Sequence, residues 1–250
     1  MWVGGLSLSA NSLFLDTPLL RPNLKIDVGA SQTRYLIDVL RLRVGDPVLV
    51  FNGRDGKWLA YISLIDKPRC VLQLAEIVRE QPETPDFHYL FAPLRKVRLD
   101  YMVQKAVELG VASLRPIVTQ HTQVAKVNKK RIVSNVIEAA EQCGILFVPE
   151  VRELISMRSL LANWAIEYGD CSLIFCDEME SVGNFYERVS LLKGKSVAVL
   201  VGPEGGFSVT EREILHSKDF VIPVSLGSRI LRSDTAAVAA LALVQLLLFT

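Results

Sequence analysis

From residue 88 onward the sequence alternates between strand-like apolar runs and amphipathic helical stretches, and this alternation constrains the fold more than any other feature. Residues 88–94 and 114–118 read as strands. Between them Leu99, Met102, Val103, Ala106 and Val107 form one apolar face of a helix over 97–109 that stops at Gly110. A second helix is predicted over 129–143, with Ile132, Val133, Val136, Ile137, Ala140 and Cys143 inward and Gly144 as its stop. Strands at 171–176, 196–201 and 219–224 interleave with helices near 156–167, 181–191 and 209–217. Such βαβα order predicts a parallel α/β sheet with its ligand site at the carboxyl ends of the strands.

The first eighty residues follow a different rule. Strand-like runs at 46–51, 57–65 and 70–78 are separated by Asn52-Gly53-Arg-Asp-Gly56 and Asp66-Lys-Pro-Arg69, turn chemistry that predicts a small antiparallel barrel. Residues 80–86 are polar with two prolines, which places a domain boundary there and gives units 1–80 and 81–250.

Composition excludes several classes. Half of the 250 residues are hydrophobic, enough for a large core. Four Cys without a CxxC and three scattered His give neither a disulfide framework nor a zinc site, so no metal is expected. Met1-Trp-Val-Gly-Gly-Leu-Ser lacks the basic region and sustained apolar run of a secretory leader, and a cytoplasmic location is expected. Residues 235–250 are almost entirely apolar, yet as a helix they would reach only about 24 Å, too short for a bilayer. With Ser233 and Asp234 as helix-start chemistry, that segment reads as a helix covered by its own domain or a partner subunit. The net charge of +1 conceals +7 over residues 95–131 and −6 over residues 132–250.

Two segments carry candidate chemistry. Gly202-Pro-Glu204-Gly205-Gly206-Phe-Ser208 follows a buried strand and opens a helix through Ser208 and Glu211, a capping-box pattern. Its glycines let the backbone approach a small ligand closely, and a helix amino end offers free N–H donors. It matches neither GxGxxG nor GxxxxGK[ST], which excludes a nicotinamide or P-loop fingerprint. Val224-Ser-Leu226-Gly227-Ser-Arg229-Ile230-Leu231-Arg232-Ser-Asp234 also leaves a strand and enters a helix. Its arginines sit between apolar elements, where unpaired charge is costly, and so point to an anionic or polar partner.

Together these segments resemble the ribosomal RNA methyltransferases that modify uridine N3 in 16S RNA, members of the SPOUT superfamily. The resemblance extends to Arg95-Lys-Val-Arg98 through Lys105 and Glu108-Leu-Gly110, to Glu138-Ala-Ala-Glu141-Gln142-Cys-Gly144, and to Leu40-Arg41-Leu-Arg43-Val-Gly45 in the first domain. It implies a PUA-like barrel, a trefoil-knotted α/β domain binding S-adenosylmethionine, and a homodimer with the cofactor near the interface. Val201, Gly202, Pro203, Gly205 and Gly206 would wrap the cofactor from one side. Val224, Leu226, Gly227, Ile230 and Leu231 would do so from the other, and the strand end at Phe175-Cys176 would form another edge. Arg232 is the candidate for stabilising the anion that develops on uracil. Glu204 and Asp234 are either candidate bases or carboxylates that orient an arginine. Arg41, Arg43, Arg95, Arg98, Lys105 and Arg229 are candidate contacts to the 16S RNA or the assembled small ribosomal subunit.

The chain departs from the family where Ile145 follows Gly144 and where His121 stands, both positions usually held by Arg. Those losses support a rival class, a noncatalytic RNA-binding or ribosome-assembly factor. The intact cofactor loops oppose it.

Overall fold

The computed structural model describes residues 12–124, 126–180 and 185–250, with the backbone of two short strands near the amino end. The chain divides into two units, Met1–Glu83 with Ile137–Val148, and Thr84–Val136 with Pro149–Thr250. Residues 137–148 thus belong with the first unit, although they follow the start of the second in sequence.

In the first unit β1 (Trp2–Val3) pairs with β2 (Leu6–Ser7). A five-stranded sheet follows, from β3 (Leu13–Phe14), β4 (Lys25–Val28), β5 (Pro47–Phe51), β6 (Lys57–Asp66) and β7 (Arg69–Arg79). The spatial order is β3-β5-β6-β7-β4. Neighbours from β5 to β4 run antiparallel, but β3 joins β5 in parallel, so the sheet is mixed where the sequence reading expects an antiparallel one. The chain between β3 and β5 supplies the long crossover that a parallel pair needs. Within that crossover lie α1 (Ala30–Arg34) and a π-helical turn over Tyr35–Val39, helical elements that the β reading of this domain does not include, seated by buried Thr33 and Leu36. The β5–β6 turn forms because Asn52 Oδ1 accepts from Arg54 N and Asp55 N at 3.1 and 2.9 Å, with Gly53 and Gly56 at φ of +83° and +80°. Val48, Val50, Trp58, Ala60, Ile62, Leu72 and Leu74 close the core. Glu141, from the 137–148 segment, accepts from Phe14 N at 2.7 Å, and Gln81 Nε2 donates to the Leu146 carbonyl at 3.2 Å.

The second unit is a seven-stranded sheet with every pairing parallel. Its elements are β8 (Phe87–Phe91), α2 (Lys96–Glu108), β9 (Ser113–Val118), α3 (Lys129–Cys143, which from residue 137 onward belongs to the first unit), β10 (Glu150–Val151), β11 (Ile155–Ser156), α4 (Met157–Ala162), α5 (Trp164–Tyr168), β12 (Ser172–Cys176), α6 (Phe185–Ser190), β13 (Val197–Val201), α7 (Val209–His216), β14 (Val221–Val224) and α8 (Ser233–Leu248). The order is β10-β9-β8-β13-β12-β14, with β11 also on β9. β13 is buried along its whole length, as expected of a central parallel strand covered on both faces. All five apolar positions expected inward on α2 are buried.

Several local expectations need correction. The helix expected over 156–167 is two helices, broken at Asn163, whose backbone leaves the helical region at φ −106° and ψ 14° while its N–H and Nδ2 both donate to the Ser159 carbonyl. Of the helix expected over 181–191, residues 181–184 lie outside the described residues. Of the positions expected inward on α3, Ile132, Val136 and Ala140 are buried, Val133 and Ile137 are half-buried and Cys143 is exposed. Arg232 is the residue before α8, while Ser233 and Asp234 already lie in its first turn and do not cap it. The inner face of α8 is Ala237, Ala240, Leu241, Val244 and Leu248. Leu243 and Leu246 remain 40% and 62% exposed, so this unit alone does not cover the helix. Among the described residues no helix is long and apolar enough to cross a membrane.

Candidate functional site

Because β12 lies between β13 and β14, three chain segments leave neighbouring carboxyl ends of one parallel sheet. They are the residues after Cys176, the 202–208 turn and the 225–232 loop. Where such ends diverge, a crevice opens. Here it is a cavity of about 340 Å³.

The 202–208 turn is fixed from several sides. The capping box is realised, Ser208 Oγ accepting from Glu211 N and Glu211 accepting from Ser208 N. Glu211 Oε1 also accepts from Gln120 N at 2.8 Å, and His121 Nδ1 donates to the Gly205 carbonyl at 2.9 Å. His121, the departure noted in the sequence, thus clamps the glycine turn. At Gly202 a Cβ would stand 2.5 Å from the Phe207 ring, which itself meets Phe175 edge-on at 5.0 Å. Gly206 has φ +65°, and a Cβ there would stand 2.8 Å from Glu178 Oε1. In the 225–232 loop, Ser225 Oγ accepts from Gly227 N at 3.3 Å, and Gly227 has φ +110°.

Of the expected cofactor residues, Val201, Gly202, Pro203 and Gly206 line the cavity on one strand end, and Leu226, Gly227, Ile230 and Leu231 on the other. Three do not. Phe175 and Val224 are wholly buried, Phe175 behind Phe207, and Gly205 is exposed with its carbonyl turned to His121. Phe175 and Val224 support the lining from behind. Sequence reasoning missed Asp177, Glu178, Phe207 and Arg212, all in the lining, while Ser225 and Ser228 fall within the 224–231 stretch expected to wrap the cofactor. The rule that points to the other two loops, a ligand at the carboxyl ends of strands, applies equally to the residues after Cys176.

Asp177 organises this corner. Its carboxylate accepts from Arg212 Nε at 3.0 Å, from Arg212 Nη2 at 2.9 Å and from His216 Nε2 at 3.0 Å. Burial pushes its pKa up, but the hydrogen bonds from Arg212, His216 and Met179 N overcome that and hold it below the usual carboxylate range. Burial raises the Cys176 thiol to about 12 and the Cys171 thiol to about 11, so neither supplies a thiolate at neutral pH. Among the described residues, no group of His, Cys, Asp and Glu is arranged to hold a metal ion.

The candidate catalytic side chains assemble differently from expectation. Arg98 of α2 joins both carboxylates, its Nη1 at 3.5 Å from Glu204 Oε1 and its Nε at 3.9 Å from Asp234 Oδ2. Arg232 is exposed and, among the described residues, makes no ion pair with either. The arginine that Glu204 and Asp234 orient is therefore Arg98, which the sequence reading assigned to RNA. Lys105 pairs with Glu108, Arg131 with Asp100 and Lys129 with Glu153, so part of the basic run is neutralised in place. Arg95 and Arg229 are exposed, Arg229 in the cavity lining. In the first unit Arg41 and Arg43 are exposed on the strand-linking loop.

A parallel α/β sheet with a glycine-lined cavity at three adjacent strand ends, carried with a small mixed β unit, defines a class of two-part ligand-binding proteins. The chain belongs to the RNA methyltransferase domain family, which matches residues 81–245, and the RNA methyltransferase PUA domain matches residues 28–75. It is 32% identical over 239 residues to Ribosomal RNA small subunit methyltransferase E of Rickettsia conorii, covering 95% of this chain and 96% of that one. The Bacillus subtilis protein of the same name is 28% identical, over 86% of this chain and 87% of its own. Among solved structures, Ribosomal RNA small subunit methyltransferase E from Neisseria gonorrhoeae, bound to S-adenosyl methionine, superposes with a TM-score of 0.81 at 26% identity, covering 96% of this chain and 98% of that one. A Legionella pneumophila protein crystallised with the same cofactor gives the same TM-score, identity and coverage.

Proposed function

We propose that this chain methylates N3 of a uridine in small-subunit (16S) ribosomal RNA with S-adenosylmethionine, acting in the cytoplasm as a homodimer on the RNA or the assembled subunit. The observation that carries this reading is the cavity where β12, β13 and β14 end. Its volume of about 340 Å³ lies within the usual range for small-molecule sites. Gly202 leaves a surface without a Cβ, and Leu226, Ile230 and Leu231 supply apolar walls. These features fit an adenosine-bearing cofactor. When bound, that group supplies a methyl on a positively charged sulfur, open to direct displacement without a metal.

The protein's task is then to present N3 as a nucleophile. N3 lies between two carbonyls and carries a proton; its bond to the methyl carbon forms as the carbon–sulfur bond breaks, and the proton passes to a carboxylate. Glu204 or Asp234 takes it, with Arg98 holding both in place. Arg232, exposed before α8, is the cation assigned to the negative charge that spreads onto the uracil oxygens. N3 sits on the pairing edge, so the uridine must be unpaired or turned out of the helix. Arg41, Arg43, Arg95 and Arg229 would hold phosphates. The outer face of α8, with Leu243 and Leu246 exposed, is assigned to the partner subunit, and the knot of the 202–208 and 225–232 segments to the cofactor.

Mass mapping of 16S RNA from cells with and without the gene tests the reading. Loss of one N3-methyluridine is expected, restored by the wild type but not by Arg232→Ala. Unchanged methylation on deletion would overturn it.

A further inference from the structure

The cavity lining holds charge that methyl transfer to N3 does not use. Arg212 reaches from α7 to Asp177, and its Nε and Nη2 are both taken up there. Asp177 is 2% exposed in its side chain and is also held by His216, so the guanidinium is fixed by a buried, doubly supported carboxylate. Among the described residues Nη1 of Arg212 makes no hydrogen bond, and Arg212 lines the cavity. Glu178, the next residue after Asp177, lines it as well. Its Oε1 lies against Gly206, and among the described residues its carboxylate has no ion pair. One cavity therefore presents a preorganised cation edge and an unspent anion. Arg229 also lines it, but it is exposed and, among the described residues, no carboxylate fixes it.

We propose that Arg212 and Glu178 form a subsite for a zwitterionic α-amino acid group, the guanidinium binding its carboxylate and Glu178 its ammonium. The inference rests on reading the cavity as the S-adenosylmethionine site, and it assigns the amino-acid end of that molecule to the corner between β12 and α7. A fixed guanidinium edge suits a planar carboxylate, because little side-chain freedom is lost on binding. Opposite charges in one small site also select against ligands carrying only one of them, since the unmatched group would be left desolvated. Asp177 is a positioning residue here, acting through Arg212.

Calorimetry with two nucleosides tests this. S-adenosylhomocysteine and 5′-methylthioadenosine share the adenosine and the thioether, and only the first carries the amino-acid end. The wild type is expected to prefer S-adenosylhomocysteine by roughly 10- to 100-fold, the scale of hydrogen bonds to charged groups. Arg212→Ala and Glu178→Gln should each lose most of that preference while holding methylthioadenosine as before, and Arg212→Lys should recover part of it. Should Arg212→Ala also lose methylthioadenosine, the unpaired Asp177 has disturbed the loop, and Glu178→Gln, a change at an exposed residue, decides the matter. A wild type that binds both nucleosides equally, or a Glu178→Gln variant that keeps the preference or weakens both alike, would overturn the subsite alone. A wild type that binds neither would overturn the methyltransferase reading, and the subsite with it.

Discussion

Gly202→Ala isolates the role of one missing side chain. The new methyl would stand 2.5, 3.0 and 3.1 Å from three Phe207 ring carbons. The ring must therefore retreat by about 0.9 Å to restore ordinary contact. It cannot do so freely, because it meets Phe175 edge-on at an interplanar angle of 87°, and Phe175 is fully buried. Overpacking of this kind costs about 1–3 kcal/mol, and loss of the edge-to-face contact accounts for about 0.5–1.5 kcal/mol of that range. At roughly 2–4 °C per kcal/mol for a chain of this size, the melting temperature should fall by several degrees. Affinity for S-adenosylhomocysteine should fall too, since Gly202 and Phe207 both line the cavity. Gly202 does not have a positive φ, so the effect is steric and relief of the clash should remove it. The Gly202→Ala/Phe207→Leu double variant should then recover stability relative to the sum of its parts, with a coupling of about 0.5–3 kcal/mol. Gly29→Ala, where nothing lies within 4 Å of the new methyl, should stay near the wild type. A Gly202→Ala protein with unchanged melting temperature and affinity would show that the ring yields at no cost, and the account of this glycine would be wrong.

Other perturbations separate the remaining parts of the site. Arg98→Ala should cut methyl transfer by at least about tenfold while cofactor affinity, measured by calorimetry, stays put; equal loss in both would return Arg98 to a structural role. The Asp177 carboxyl has a lower pKa folded than unfolded, so its contribution to stability is present above the ordinary value of 3.8 and is lost as pH falls through the lower folded value. Acid unfolding should therefore be flatter in Asp177→Asn than in the wild type, and parallel curves would remove this carboxylate from the acid transition. Leu243→Glu/Leu246→Glu should convert a dimer to a monomer in light scattering, and an unchanged mass would move the interface away from α8.

The parallel sheet and its two glycine loops are legible in the sequence because strand and helix periods differ, and because glycines mark where backbone must approach a ligand; at the third strand end the edge at Cys176 is expected, but Asp177 and Glu178 just beyond it are not. The helix break at Asn163 is not legible, since an apolar helical face continues across it and the backbone departs from the helical region at that single residue. The pairing of Arg98 with Glu204 and Asp234 is equally hidden. Three residues from three elements meet only through the order of the strands, and an arginine beside Lys96 in a basic run looks like a phosphate contact. Asp177 and Arg212 lie 35 positions apart, with nothing in either neighbourhood to announce the other. The mixed pairing of β3 also escapes, because a two-residue strand has no period to detect.

The interrupted first unit has a consequence for synthesis. Leu146, whose carbonyl accepts from Gln81, leaves the ribosome 65 residues after it, and Glu141 must arrive before the Phe14 N–H has its partner. At roughly 5–20 residues per second, the amino-terminal sheet waits on the order of 3–13 s for its last segment. Throughout that interval the nascent chain carries an unfinished β unit while the first strands of the following sheet emerge. The amino-terminal unit is first to be started, yet it closes only after synthesis of the second is under way.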